Sequence, residues 1–191
     1  MLTAYGHAEI EWQGDIYRLA PTFSNISKLG SPVEIVELFK SFTSPGAAWH
    51  KFNIAVSVLN ACCDKPIPES LIGRVKFSDR QQRFMYVQPS HGLPMLHDTI
   101  AFAEHLLLHG VCGKVESSGD GEPMKEFDAY SFIELARVHL DMSRDESASL
   151  TMTEFCRVMA TKFPPPKQEG ITVEENDDML AWFKEQNKEV H

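Results

Sequence analysis

The chain opens on a strict alternation. His7-Ala8-Glu9-Ile10-Glu11-Trp12 interleaves small or apolar residues with polar ones, Gln13-Gly14-Asp15 supplies a turn, and Ile16-Tyr17-Arg18-Leu19 alternates again. A period of two lines up one set of side chains on a single strand face, so residues 1–20 predict a β-hairpin. An isolated two-stranded hairpin is marginal in water, and its apolar face therefore needs a larger body to rest on. Pro21 ends the second strand, and from residue 22 onward the pattern takes the period of a helix.

Phe23 to Leu29 reads as a short helix closed by Gly30. Ser31-Pro32-Val33-Glu34 combines a cap, a proline suited to the first helical position and a glutamate able to reach back to the cap amide. An apolar stripe follows as far as Phe42, until Ser44-Pro45-Gly46 breaks it. From Ala47 to Cys63, apolar residues including Trp49, Phe52, Ile54, Val56, Val58 and Leu59 nearly encircle a helix, which predicts a central, buried element. Glu69 to Ile72 adds one turn. Arg74 to Phe77 and Phe84 to Val87 predict a second short hairpin across Ser78 to Arg83, with its aromatic residues directed into the core. Pro89 to Pro94 reads as loop. Met95 to His109 is amphipathic and predicts a helix stopped by Gly110, with its histidines partly exposed.

Val115 to Pro123, carrying Ser117-Ser118-Gly119-Asp120-Gly121, has the composition of a flexible connection. Phe127 to Leu140 predicts a helix bearing Tyr130, Ile133, Leu135 and Val138. Ser143-Arg144-Asp145-Glu146 and Thr151-Met152-Thr153-Glu154 both match the capping box, so a helix should start at each. Pro164-Pro165-Pro166 ends the compact part. The expected fold is α+β and mainly α: an N-terminal hairpin on a helical domain, a second short hairpin, and an acidic C-terminal tail with one helix. Residues 1–163 are expected to form one domain (1–20 hairpin, 22–163 mainly helical), with a proline-linked tail over 164–191.

Composition and charge narrow the function classes. Of 191 residues, 43% are hydrophobic and 24% charged, as in an ordinary globular protein. Lys and Arg number 18 against 27 Asp and Glu, a formal charge of −9. Such a balance weakens any reading that requires neutralising phosphates or docking on an anionic bilayer. No apolar run approaches the roughly 18 residues of a membrane span, and residues 1–15 lack the basic patch and apolar core of a secretory leader. Four cysteines, with no CxxC, fit reduced thiols in a cytosolic compartment.

Catalytic signatures are weak. His105 and His109 sit one turn apart, as two metal ligands would, but the zincin pattern requires Glu after the first histidine and position 106 is Leu. Cys62 and Cys63 end an apolar helix, where small buried hydrophobes are the simpler role. Gly110-Val111-Cys112-Gly113-Lys114 lacks the spacing and the Ser or Thr of a phosphate loop. The expectation is a chain without catalysis, metal or cofactor. Arg74, Lys76, Arg80 and Arg83, interleaved with Phe77, Phe84 and Tyr86, form the sole basic–aromatic segment and a small-scale likeness of a single-strand-binding strip. The tail holds three Lys against seven Asp or Glu over residues 167–191, with Met179, Leu180, Trp182 and Phe183 able to line one side of a helix. That helix reads as a groove-docking segment, including onto another copy, with folding back on its own domain or disorder as alternatives.

Several stretches resemble phage proteins of the tail assembly chaperone family of long-tailed bacteriophages. They are the hairpin from Glu9 to Leu19 with Pro21-Thr22-Phe23, Leu29 to Val36, Val58 to Asp64, Leu106 to Lys114, and above all Ala136 to Ser143 and Leu150-Thr151-Met152-Thr153-Glu154-Phe155. The likeness spans residues 5–163, rests on cap and core positions, and does not reach the tail. It implies a non-catalytic protein of the infected host's bacterial cytoplasm. Its partners would be the tape measure protein, the tail tube protein or both, bound before the tube polymerises. Candidate partner contacts are Trp12, Tyr17, Met179, Leu180, Trp182 and Phe183. A minor structural virion component, such as a tail completion or connector protein, is the alternative.

Overall fold

In the computed structural model, residues 2–89, 96–113 and 124–164 are described. The chain divides into two compact units, residues 1–159 and 160–191. The first is α+β and mainly α, with two antiparallel hairpins.

Strands β1 (Ala8–Trp12) and β2 (Asp15–Leu19) pair with Ala8 opposite Leu19 and Ile10 opposite Tyr17. The two-residue loop Gln13-Gly14 has φ of 51° and 82°. Two positive φ values in a row make the hairpin turn whose twist matches the strands, and glycine adopts its half without a Cβ clash. Ala8, Ile10, Tyr17 and Leu19 turn inward, while Glu9 and Arg18 pair across the outer face at 3.3 Å. The hairpin rests on the helical body as its period demanded. Ala20 N donates to Cys62 O, Asp64 N to Arg18 O, and Arg18 N to the Asp64 carboxylate, all within 3.1 Å.

Helix α1 (Phe23–Ile26) is capped by Thr22, whose hydroxyl accepts from Asn25 N, and runs on into a 3₁₀ turn. Helix α2 (Pro32–Thr43) begins where Ser31 donates both its amide and its hydroxyl to Glu34, each at 2.7 Å. Helix α3 (Ala48–Cys62) packs along α5 (Leu96–Leu107), burying Phe52, Ala55, Val58, Leu59 and Cys62. It is central, but its first turn, including Trp49, is open to solvent. Helix α4 (Glu69–Ile72) precedes β3 (Arg74–Ser78) and β4 (Arg83–Val87), which form the second hairpin.

Gly110 does not stop α5. The chain continues through a π-helical turn, Leu108–Cys112, and ends at Gly113. The reason is tertiary: a Cβ on Gly110 would lie 2.8 Å from Ile26 Cδ1 and 2.9 Å from Pro21 Cβ, so this turn presses its backbone against α1. The wider turn also carries His109 inward, where its Nδ1 lies 2.8 Å from Thr153 Oγ1. The histidine at the end of this helix is therefore buried, contrary to the exposed position expected for it.

Helix α6 (Ala129–Leu140) starts two residues later than its apolar pattern predicts, because Asp128 caps it, accepting from Tyr130 N and from the Ser131 hydroxyl. Phe127 remains extended, donates its amide to Pro32 O and is fully buried. Both remaining capping boxes form. Ser143 and Glu146 bond reciprocally at the start of α7 (Arg144–Ser149), and Thr151 and Glu154 do so at the start of α8 (Met152–Lys162). The central aromatic cluster joins Phe23, Phe127, Phe132 and Phe155, with centroid separations of 5.3–6.5 Å. Among the described residues, no helix is long and apolar enough to cross a membrane.

Candidate partner-binding surface

Apolar residues that a fold leaves in water are the first place to look for a binding function. The second hairpin supplies them. Register pairs Val75 with Tyr86 and Phe77 with Phe84, so these four share one face. Helix α3 covers only part of it. Phe52 meets Tyr86 edge-on at 5.4 Å, and Trp49 stacks on Phe84 at 4.4 Å with the planes 23° apart. Phe77 closes on Phe84 edge-on at 5.3 Å. The outcome is a run of three rings, Trp49–Phe84–Phe77, with Phe77 and Phe84 each 46% exposed. The aromatic residues expected in the core therefore stand at the surface. A two-stranded sheet beside a single helix has too little cover for a whole face, and Tyr86 alone is drawn in, donating its hydroxyl to Ile72 O at 2.8 Å.

Helix α6 presents a second such area. Ala129, Ile133 and Ala136 fall on its inner side, whereas Tyr130 and Val138, spaced by eight residues, fall on the outer side and are 61% and 75% exposed. Leu135 adjoins them, and Glu134 pairs with Arg137 at 2.8 Å along the same helix. Positions 130, 133, 135 and 138 thus divide between two faces. A groove of about 310 Å³ between α3, α4 and β3, lined by Phe52, Asn60, Ile67, Glu69 and Arg74, adjoins the first area.

The contacts expected from the sequence fare differently. Tyr17 is 5% exposed, with the Lys65 ammonium 4.4 Å from its ring centre. It is a core residue and is withdrawn as a partner contact, since register with Ile10 fixes it on the inner face. Trp12 is half-buried against the core. Met179, Leu180, Trp182 and Phe183 lie outside the described residues, as does Lys114. Phe77, Phe84 and Trp49 stand at the surface and not in the core that the sequence pattern predicts for them. The signal for Phe77 and Phe84 is the Arg74 to Tyr86 segment, where cations alternate with aromatics on strands too short to be covered on both sides.

Residues 38–178 match the family described as a family of unknown function (DUF6246). The chain belongs to the DUF6246 family. No curated protein and no solved structure matches it. Both exposed apolar areas of this DUF6246 chain fall inside the matched span, and the first hairpin falls before it.

Burial pushes the Cys62 thiol up to about 12, and burial likewise raises Cys63, Cys112 and Cys156, so none is held as a thiolate at neutral pH. His105 and His109 lie 4.6 Å apart ring to ring. Among the described residues, no group of three His, Cys, Asp or Glu is placed to hold a metal ion. His7 sits 3.5 Å from Glu154. The Glu154 hydrogen bond raises the His7 pKa, and although burial pushes Glu154 up, its bonds to His7 and Thr151 prevail and lower it.

Proposed function

We propose that this protein is a non-catalytic tail assembly chaperone of long-tailed bacteriophages, acting in the host bacterial cytoplasm. It would hold tape measure protein, tail tube protein or both until the tube polymerises. The observation that carries the reading is the solvent-exposed run Trp49–Phe84–Phe77, set on a hairpin and a helix that already hold the rings in contact. Rings ordered before binding lose little side-chain entropy when a partner covers them, and apolar segments awaiting assembly gain from the cover. The outer face of α6 adds Tyr130 and Val138 as a second apolar contact. The acidic balance of the whole chain supports solubility while such surfaces stay open.

Co-expression with the tape measure protein of a long-tailed phage whose genome carries this chain tests this. The proposal predicts copurification and a larger soluble fraction of the tape measure. Neither gain, together with stoichiometric copies of the chain in purified particles, would replace the chaperone with the structural virion component.

A further inference from the structure

The two faces of the second hairpin differ in chemistry. Phe77 and Phe84 occupy one, while register places Arg74, Lys76 and Arg83 on the other. Arg74 is paired with Glu69 at 3.2 Å, and the Arg83 guanidinium bonds the Gln81 side chain at 2.8 Å. Arg74, Lys76 and Arg83 are all exposed. Within residues 74–87, four cations meet one carboxylate, Asp79, in a chain whose total charge is −9. The hairpin is thus a local cationic island.

Among the described residues its edges are also open. The sheet has two strands, and among the described residues no backbone hydrogen bond joins β3 or β4 to anything but each other and their turn. An unpaired edge is a template for an added strand. We propose that the β3–β4 hairpin binds an extended acidic segment of another polypeptide by strand addition, in which apolar and carboxylate residues alternate. The period of two places the apolar set of a strand added to β3 beside Phe77 and its carboxylates beside Lys76 on the reverse face, and for a strand added to β4 the neighbours are Phe84 and Arg83. Single-stranded nucleic acid fits less well, because its bases and phosphates would have to reach rings and cations that lie on opposite faces. This inference rests on the reading that the protein works by binding other polypeptides.

The test is fluorescence anisotropy of the full chain with a labelled peptide alternating glutamate with valine and phenylalanine. A peptide of equal composition in two blocks and an oligothymidylate serve as competitors. Alternation should improve binding by about tenfold over the block order, and Lys76→Glu with Arg83→Glu should weaken it by at least about tenfold. Both positions are exposed, and an unchanged thermal melt certifies the fold of the double variant. Equal binding of the block peptide, undiminished binding by the double variant, or displacement by oligothymidylate alone would overturn the inference. No preference for the alternating peptide, with tape measure protein still copurifying with the wild type, would remove strand addition and leave the chaperone reading standing. Peptide binding without tape measure copurification would do the reverse.

Discussion

Two aromatic clusters in this protein use the same ring geometry to opposite ends. Phe23, Phe127, Phe132 and Phe155 interlock at the meeting of α1, α6 and α8, where Phe23 and Phe127 are fully buried. Trp49, Phe84 and Phe77 make contacts of the same kind at the surface. The inner cluster spends its apolar area on folding. The outer one leaves much of its area in solvent, which the proposed partner would cover, since ring pairing alone adds only about 0.5–1.5 kcal/mol beyond burial. Stacking is therefore no guide to burial, and the number of layers covering a ring decides its role.

The strongest way to break the comparison is to truncate one ring from each cluster. Phe23→Ala should cost about 3–5 kcal/mol in chemical denaturation, because the cavity lies in a packed core. Phe84→Ala should cost about 1 kcal/mol or less, a surface-scale effect, while removing partner binding. Comparable losses at both positions would erase the distinction.

Gly110→Ala tests the close approach beneath the inner cluster. The added methyl would meet Ile26 and Pro21 within 2.9 Å, so a loss of about 1–3 kcal/mol is expected from thermal melts. An unchanged melt would mean the π turn yields freely.

Thr151→Ala removes a reciprocal cap that starts the helix carrying Phe155. About 1 kcal/mol should be lost, with Thr151→Ser restoring most of it. No such dependence is expected around the outer rings.

The smallest effect is one of pH. His7 is raised above 6.5, so its contribution is complete below that value and fades as pH climbs through the raised one. Glu154 is lowered beneath 4.5, so its contribution is complete above that value and fades as pH falls through the lowered one. The pair is thus strongest between pH 4.5 and 6.5. His7 is 41% exposed, so solvent screening limits the gain to a few tenths of a kcal/mol. Stability curves of wild type and His7→Gln should separate most inside that window, and parallel curves at every pH would remove the pair from the account.

What could be read in advance follows the range of each interaction. The capping boxes at Ser143 and Thr151 and the Gln13-Gly14 turn were legible because each is closed within a few residues. Gly110 reads as a stop because it follows an amphipathic stretch, while its real constraint comes from Ile26 and Pro21, far off in the chain. Tyr17 and Phe77 expose the same limit from opposite sides. Alternation identified their faces, but cover came from elsewhere: the helical body over β1–β2, and only the first half of α3 over β3–β4. On α6, the pattern spreads Tyr130, Ile133, Leu135 and Val138 around the helix without choosing a face, and packing alone puts Ile133 with Ala136 on the inner side.

The most direct trial of the central claim is light scattering on the tape measure protein co-expressed with this chain, either as wild type or with Phe77→Ser and Phe84→Ser. The account predicts a discrete, soluble complex with the wild type and aggregation of the tape measure with the variant. A variant that keeps its own melt and still holds the tape measure in solution as well as wild type would contradict it.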